Sequence, residues 1–377
     1  MSEPVKDLEL VGRLQGWLEG GLAQGPYTLQ LSPTMACDLN CEFCRRQEQL
    51  KGFYGAQSEI ANERYLKMVA SALEMGAKVF IIKGGGEPLL RRSLLLELAP
   101  LIKRAGAYGN IVTNGTHLDE PLRRMFAACG WDDISISLDG PDAETHDRIR
   151  AKKGTFDRVM RHVDALNALK TALGAERPKL TFHCVLTKLN YDRFDRFIEL
   201  AADKRAHRLE LDSLSPRYAS SRFLEMDEAA TRDFLERLQR TIEALDRKGL
   251  SHNFGDFKKP EVVQRAATGA GLYEEASRKK GPAAARLPCY YPFYQASITP
   301  AGHIVPCCYA EETHRSETNL GRTDFRQAWL AGDPQRYRQS MQTGTMMPFC
   351  KDCTALYADN NARLRRWLIE EAQAHAR

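Results

Sequence analysis

Residues 27–44, YTLQLSPTMACDLNCEFC, run from a short strand pattern into a loop that carries three cysteines. Tyr27 to Pro33 is rich in β-forming residues and stops at a proline, where a strand ends. Cys37, Cys41 and Cys44 follow at C-x3-C-x2-C spacing, with no fourth cysteine close by. A structural zinc ion takes four protein ligands, usually as C-x2-C pairs, so this trio suits zinc only with a distant fourth partner. A four-iron cluster held by three thiolates keeps one iron open to another molecule. Three closely spaced thiols in a loop also make poor inert core residues.

Working outward, that strand pattern is the first of six. The others are KVFIIK from Lys78, GNIVTN from Gly109, DISISLD from Asp133, LTFHCVLT from Leu180 and RLELDSL from Arg208. Helical runs over 62–75, 94–104, 155–173 and 191–204 lie between most of them. Strand–helix alternation at this spacing argues for an α/β fold with a parallel sheet, specifically a partial (β/α)6 TIM-like barrel. Such barrels carry active-site residues at the C-terminal strand ends. The expected division is an N-terminal helix over 1–25, the barrel over 26–249, and a Gly-, Lys- and Ala-rich linker or cover over 250–288. A small cysteine-rich domain with a closing helix then fills 289–377.

The cysteine spacing resembles that of the radical S-adenosylmethionine (SAM) superfamily, and two further stretches resemble the same family. About forty residues on, KGGGEPL places Gly84, Gly85, Gly86 and Glu87 after the second strand, similar to the GGEP motif that holds the methionine amino group. Lys83 precedes it, either solvated or reaching an anion. Gly84 departs from the Ser or Thr common there. The fourth strand opens SISLDGPDAETHDRIR, similar to the S-x-DG…HD-x-x-R signature of members with a SPASM or twitch extension. The resemblance implies that a SAM-binding [4Fe-4S] cluster sits on Cys37, Cys41 and Cys44. It also implies SAM contacts from Phe43, Gly85, Gly86, Glu87, Asn114, Ser137 and Arg150. The alternative for Arg150 is a surface ion pair with Asp142 or Asp147. His183, Glu210 and Asp212 take either face of their strands, because parity alone does not settle it.

A second cysteine group lies toward the other end. Cys289, twelve residues, Gly302, four residues and Cys307 are similar to the opening of a SPASM domain, with a β-hairpin turning at Ala301–Gly302. Cys350 and Cys353 add a C-x2-C pair, so four thiolates suffice for one auxiliary [4Fe-4S] cluster, or for zinc. A full SPASM pattern continues with further cysteines, but Asp359 stands where the next is due. That resembles the shorter twitch arrangement. Neighbouring strand residues face opposite ways, and the glycine spacing selects Cys307 over Cys308. Cys129 and Cys184 read as buried thiols.

Hydrophobic residues are 43%, charged residues 27% and the formal charge is +5. No basic block, signal peptide or bilayer-length apolar run is present, so neither nucleic acid nor membrane is expected as a partner. A cytoplasmic setting follows, with a donor such as flavodoxin or ferredoxin supplying electrons. The expected function is radical oxidation of a small polar metabolite, a sugar, aminocyclitol or related alcohol, with the auxiliary cluster accepting an electron. Arg217, Tyr218 and His183 are the candidate catalytic residues. The alternative is peptide maturation, by thioether or carbon–carbon crosslinking or by epimerisation. A third reading is a non-catalytic iron–sulfur carrier or sensor.

Overall fold

The structure, a computed structural model, describes residues 7–18, 24–41, 43–44, 59–214, 219–264, 271–274, 286–307, 310–311 and 316–375. In chain order α1 (Leu8–Leu18), β1 (Thr28–Leu31), α2 (Asn62–Glu74) and β2 (Val79–Ile82) come first. There follow α3 (Arg92–Arg104), β3 (Tyr108–Thr113), α4 (Glu120–Ala128), β4 (Asp133–Ser137), α5 (Ala143–Arg150) and α6 (Thr155–Leu173). Next are β5 (Lys179–Leu186), α7 (Phe194–Asp203), β6 (Arg208–Ser213), α8 (Glu228–Arg247), β7 (Ser251–His252) and α9 (Pro260–Val263). Last come α10 (Tyr291–Tyr294), β8 (Gln295–Ile298), β9 (Ile304–Val305), α11 (Phe325–Ala331), α12 (Asp333–Thr343) and α13 (Ala355–His375). All six strands read from the sequence are present. The chain divides into two compact units.

The first unit takes in the described parts of 33–56 and 81–265. Here β3, β4, β5, β6 and β7 lie side by side in sequence order, every neighbour parallel. Helices return the chain between them, and aspartates start three of those helices. Asp119, Asp142 and Asp227 each accept a backbone N–H of the first turn, of Leu122, Thr145 and Ala230 respectively. The pleat sorts the strands into two faces. Ile134, Ile136, Leu138, Leu180, Phe182 and Leu209 are almost fully buried. A phenylalanine group formed by Phe182, Phe194, Phe197, Phe234 and Phe254 extends this core through ring contacts at 5.0–6.4 Å. Residues of the opposite parity form a polar, half-open face, and register aligns Ser137 with His183 and His183 with Glu210. His183, Glu210 and Asp212 therefore share the face of Ser135 and Ser137.

The second unit takes in the described parts of 1–32, 57–80 and 266–377. Its sheet pairs β1 with β8 in parallel, Thr28 opposite Gln295, and β8 with β9 in antiparallel. The β8–β9 connection is the expected hairpin: Gly302 adopts φ +87° and donates its N–H to the Thr299 carbonyl at 2.9 Å. α1, α10 and α13 pack together through Val11, Leu14, Tyr290, Tyr294, Leu364 and Leu368. The Arg338 guanidinium is stacked at 4.5 Å from the Trp17 ring and 4.7 Å from the Trp329 ring. Among the described residues, no helix is long and apolar enough to cross a membrane.

Candidate functional site

In the first unit, the cysteine loop is held by one carboxylate. Asp38 lies between Cys37 and Leu39 and accepts hydrogen bonds from Asn114 Nδ2 at 2.9 Å and Thr116 Oγ1 at 2.8 Å. His117 Nε2 stands 3.4 Å from it, and Lys152 Nζ donates to its backbone carbonyl at 2.8 Å. Burial alone raises the Asp38 pKa. The donors from Asn114 and Thr116 and the charge of His117 outweigh it and hold the carboxyl below its usual value. The end of β3 thus grips the loop, and Asn114 Nδ2 also faces the Cys37 sulfur at 3.9 Å. A tight turn joins the other two thiols, with Cys44 N–H donating to the Cys41 carbonyl at 3.0 Å.

The glycine run abuts this loop from the end of β2. Gly86 N–H donates to the Thr34 carbonyl at 2.6 Å and Glu87 N–H to the Ala36 carbonyl at 2.7 Å. A Cβ at Gly86 would stand 1.9 Å from the Ala36 carbonyl oxygen, so only glycine permits this approach. Glu87 is buried and accepts from Leu89 N–H at 3.0 Å, Thr113 Oγ1 at 2.6 Å and Asn114 N–H at 2.7 Å. Burial pushes its pKa up to about 7, against those three donors. In this structure, Glu87 braces the polar turn that follows β2 against the end of β3.

Arg150 ends α5 inside the unit rather than on its surface. Its Nε lies 2.6 Å from Asp139, which is fully buried, and its guanidinium sits 5.3 Å from the centre of the Phe43 ring. The two carboxylates expected as its alternative partners are engaged elsewhere. Asp142 faces Arg193 and Arg196, and Asp147 accepts the Gly154 and Phe156 N–H groups. Burial pushes the Cys41 thiol up to about 11, and Arg150 beside it pulls the other way. A buried cation next to this thiol favours its thiolate, the form that binds iron. Ser137 ends β4 on the polar face, and Cys184 is a core thiol contacted by Asn190 Nδ2 at 3.4 Å. Arg217 and Tyr218 lie outside the described residues, as does Cys308.

In the second unit, one cavity collects all four thiols of the C-terminal group. Cys289, Cys307, Cys350 and Cys353 line it together with Tyr273, Tyr291, Met341 and Phe349. The Pro348–Asp352 turn sets the last pair, with Cys353 N–H donating to the Cys350 carbonyl at 3.1 Å. Burial pushes the Cys289 thiol up to about 12, a cost that ligation by a positive centre removes. Four thiols around one cavity match the four thiolates that saturate a [4Fe-4S] cluster.

Comparison with known proteins accords with both sites. Residues 31–201 match the radical SAM superfamily model and residues 289–354 match the SPASM model, an iron–sulfur cluster-binding domain. The chain belongs to the radical SAM superfamily. It is a radical SAM enzyme of the SPASM type, with an α/β fold and a mostly parallel sheet. Its cofactors are SAM, a [4Fe-4S] cluster and an auxiliary cluster. A PqqA peptide cyclase of Streptomyces rochei is 28% identical over 339 residues, covering 89% of this chain and 83% of the relative. An AdoMet-dependent heme synthase of Methanosarcina barkeri is 27% identical over 259 residues, covering 69% and 66%. In fold the chain is similar to Streptococcus suis SuiB bound to precursor peptide SuiA, with TM-score 0.61 and 16% identity over 87% of this chain and 71% of that one.

These relatives overturn the expected oxidation of a small sugar-like alcohol with the auxiliary cluster as electron acceptor. Relatives that span most of this radical SAM chain carry the name PqqA peptide cyclase, which favours the peptide alternative. The expectation leaned on the truncated C-terminal cysteine pattern. Cysteine number reports how many irons are ligated, not what the barrel admits. Sequence reasoning also missed Asp38, Thr116 and Tyr273. Asp38 had a signal, since it sits inside the cysteine motif, but its partners lie 76 and 78 residues away.

Proposed function

We propose that this radical SAM enzyme modifies a peptide, by carbon–carbon or thioether crosslinking or by epimerisation. The observation that carries the reading is the PqqA peptide cyclase relative, similar along 89% of this chain. When bound, SAM and its cluster supply a carbon-centred radical able to take hydrogen from an unactivated position.

The chain's own residues then have the following roles. Cys37, Cys41 and Cys44 hold the SAM-binding cluster, with Asp38 fixing their loop. Gly85 and Gly86 let the backbone close on SAM, while Glu87, Asn114 and Ser137 present polar groups to it. Arg150 and Phe43 flank the Cys41 side. Cys289, Cys307, Cys350 and Cys353 hold one auxiliary cluster of the twitch kind, in a domain over 289–377 that follows a barrel over 26–249 in the chain. The polar face bearing His183, Glu210 and Asp212 lines the substrate space and offers hydrogen-bonding groups to the peptide backbone. A small electron donor such as flavodoxin or ferredoxin serves it in the cytoplasm.

The test is anaerobic incubation of the iron-loaded enzyme with SAM, reductant and short peptides encoded beside its gene. A peptide product lacking a hydrogen pair marks a crosslink, and deuterium taken up from D2O at an α-carbon marks epimerisation. Peptides recovered unchanged in mass and stereochemistry while SAM is consumed would contradict the reading.

A further inference from the structure

Residues 271–274 fall in the stretch expected to be a linker or cover, yet Leu272 and Tyr273 form part of the wall around the four C-terminal thiols. The Tyr273 ring packs against the apolar core of its unit, and its hydroxyl points inward. Tyr273 Oη lies 3.2 Å from Cys350 Sγ and 3.4 Å from Met341 Sδ. A phenol has one proton to donate, and a thioether is a weak acceptor. Once Cys350 is a thiolate, the charge-assisted O–H···S bond is the stronger of the two. Much of the remaining wall is apolar, including Leu272, Pro292, Pro306 and Phe349. Apolar walls disfavour added negative charge, so a donor aimed at a ligand sulfur has a large effect there.

We propose that Tyr273 donates a hydrogen bond to the Cys350 ligand of the auxiliary cluster and thereby raises that cluster's reduction potential. Reduction adds negative charge that is shared with the cysteine sulfurs. An O–H donor stabilises the reduced state more than the oxidised one, and hydrogen bonds to sulfur are among the levers that set such potentials. Tyr273 is thus a positioning residue acting through Cys350, and the proposal rests on Cys350 being a ligand.

The test uses the full chain with Cys37, Cys41 and Cys44 replaced by Ala, so that only the auxiliary cluster is loaded. In that background Tyr273→Phe keeps the ring and loses the hydroxyl. It should retain its iron, show a more negative midpoint potential in a redox titration, and shift the Fe–S(Cys) stretching band upward. The band should also lose its sensitivity to D2O. An unchanged potential and band would overturn the proposal. If Tyr273→Phe fails to hold iron, the parent's band decides: no shift in D2O overturns the proposal as well. Cys350→Ala reports separately on the ligand assignment, which fails if that variant keeps a full cluster.

Discussion

Asp133 shows how a single buried carboxylate makes the barrel's polar face sensitive to pH. It lies at the start of β4, accepts from Thr181 Oγ1 at 3.1 Å and stands 3.3 Å from His207 Nε2. Burial pushes its pKa from 3.8 up to about 6, with Glu210 adding to the rise and Thr181, Ser135 and Arg208 opposing it. The native state therefore keeps a proton that the unfolded chain has released between about pH 4 and pH 6. Stability from this group is present below the unfolded value and is lost as pH rises through the folded one. Asp133→Asn should flatten that part of the profile, as measured by urea unfolding at stepped pH. An identical slope in wild type and variant would show that Asp133 is ionised in the native state.

At the scale of elements, the end of β2 and the end of β3 act together as a seat for the cysteine loop. Gly86 lets the loop backbone approach from one side, and Asp38 ties it to Asn114 and Thr116 on the other. Gly86→Ala should displace the loop, because the Ala36 carbonyl stands where the new methyl would go. Asp38→Ala should loosen it by taking the carboxylate acceptor from the buried Asn114 amide, a loss of about 1–3 kcal/mol, while Thr116 Oγ1 can still donate to Asn114 Oδ1. Both variants should lose SAM-cluster iron and keep auxiliary iron, read by iron content and by electron paramagnetic resonance with and without SAM. Loss of both clusters together would mean that the damage is global.

The elements themselves were legible because alternation is local. Each strand run carried β-formers between turn residues, and Ser135 and Ser137 alternated with Ile134 and Ile136. What stayed hidden was long-range. Nothing near Thr28 says that β1 pairs with Gln295–Ile298 in β8, and nothing near Tyr273 says that it faces a thiol 77 residues on. The placement of Arg150 was hidden for the same reason. Sequence shows a basic residue that follows two aspartates, Asp142 and Asp147, whereas the fold brings it against Asp139, just past the end of β4.

For the whole molecule, the claim is that two separate thiol sets serve two clusters of different function. Cys37, Cys41 and Cys44 share one loop of the first compact unit, and Cys289, Cys307, Cys350 and Cys353 surround one cavity of the second. Because each set sits within its own unit, emptying one need not empty the other. The most direct measurement is iron content and reductive SAM cleavage in the Cys37→Ala, Cys41→Ala, Cys44→Ala triple variant, prepared anaerobically beside wild type. The variant should keep about half the iron and form no 5′-deoxyadenosine, since the auxiliary site has its own four thiolates and no open iron. A triple variant that still cleaves SAM, or a folded one that has lost all its iron, would contradict the account.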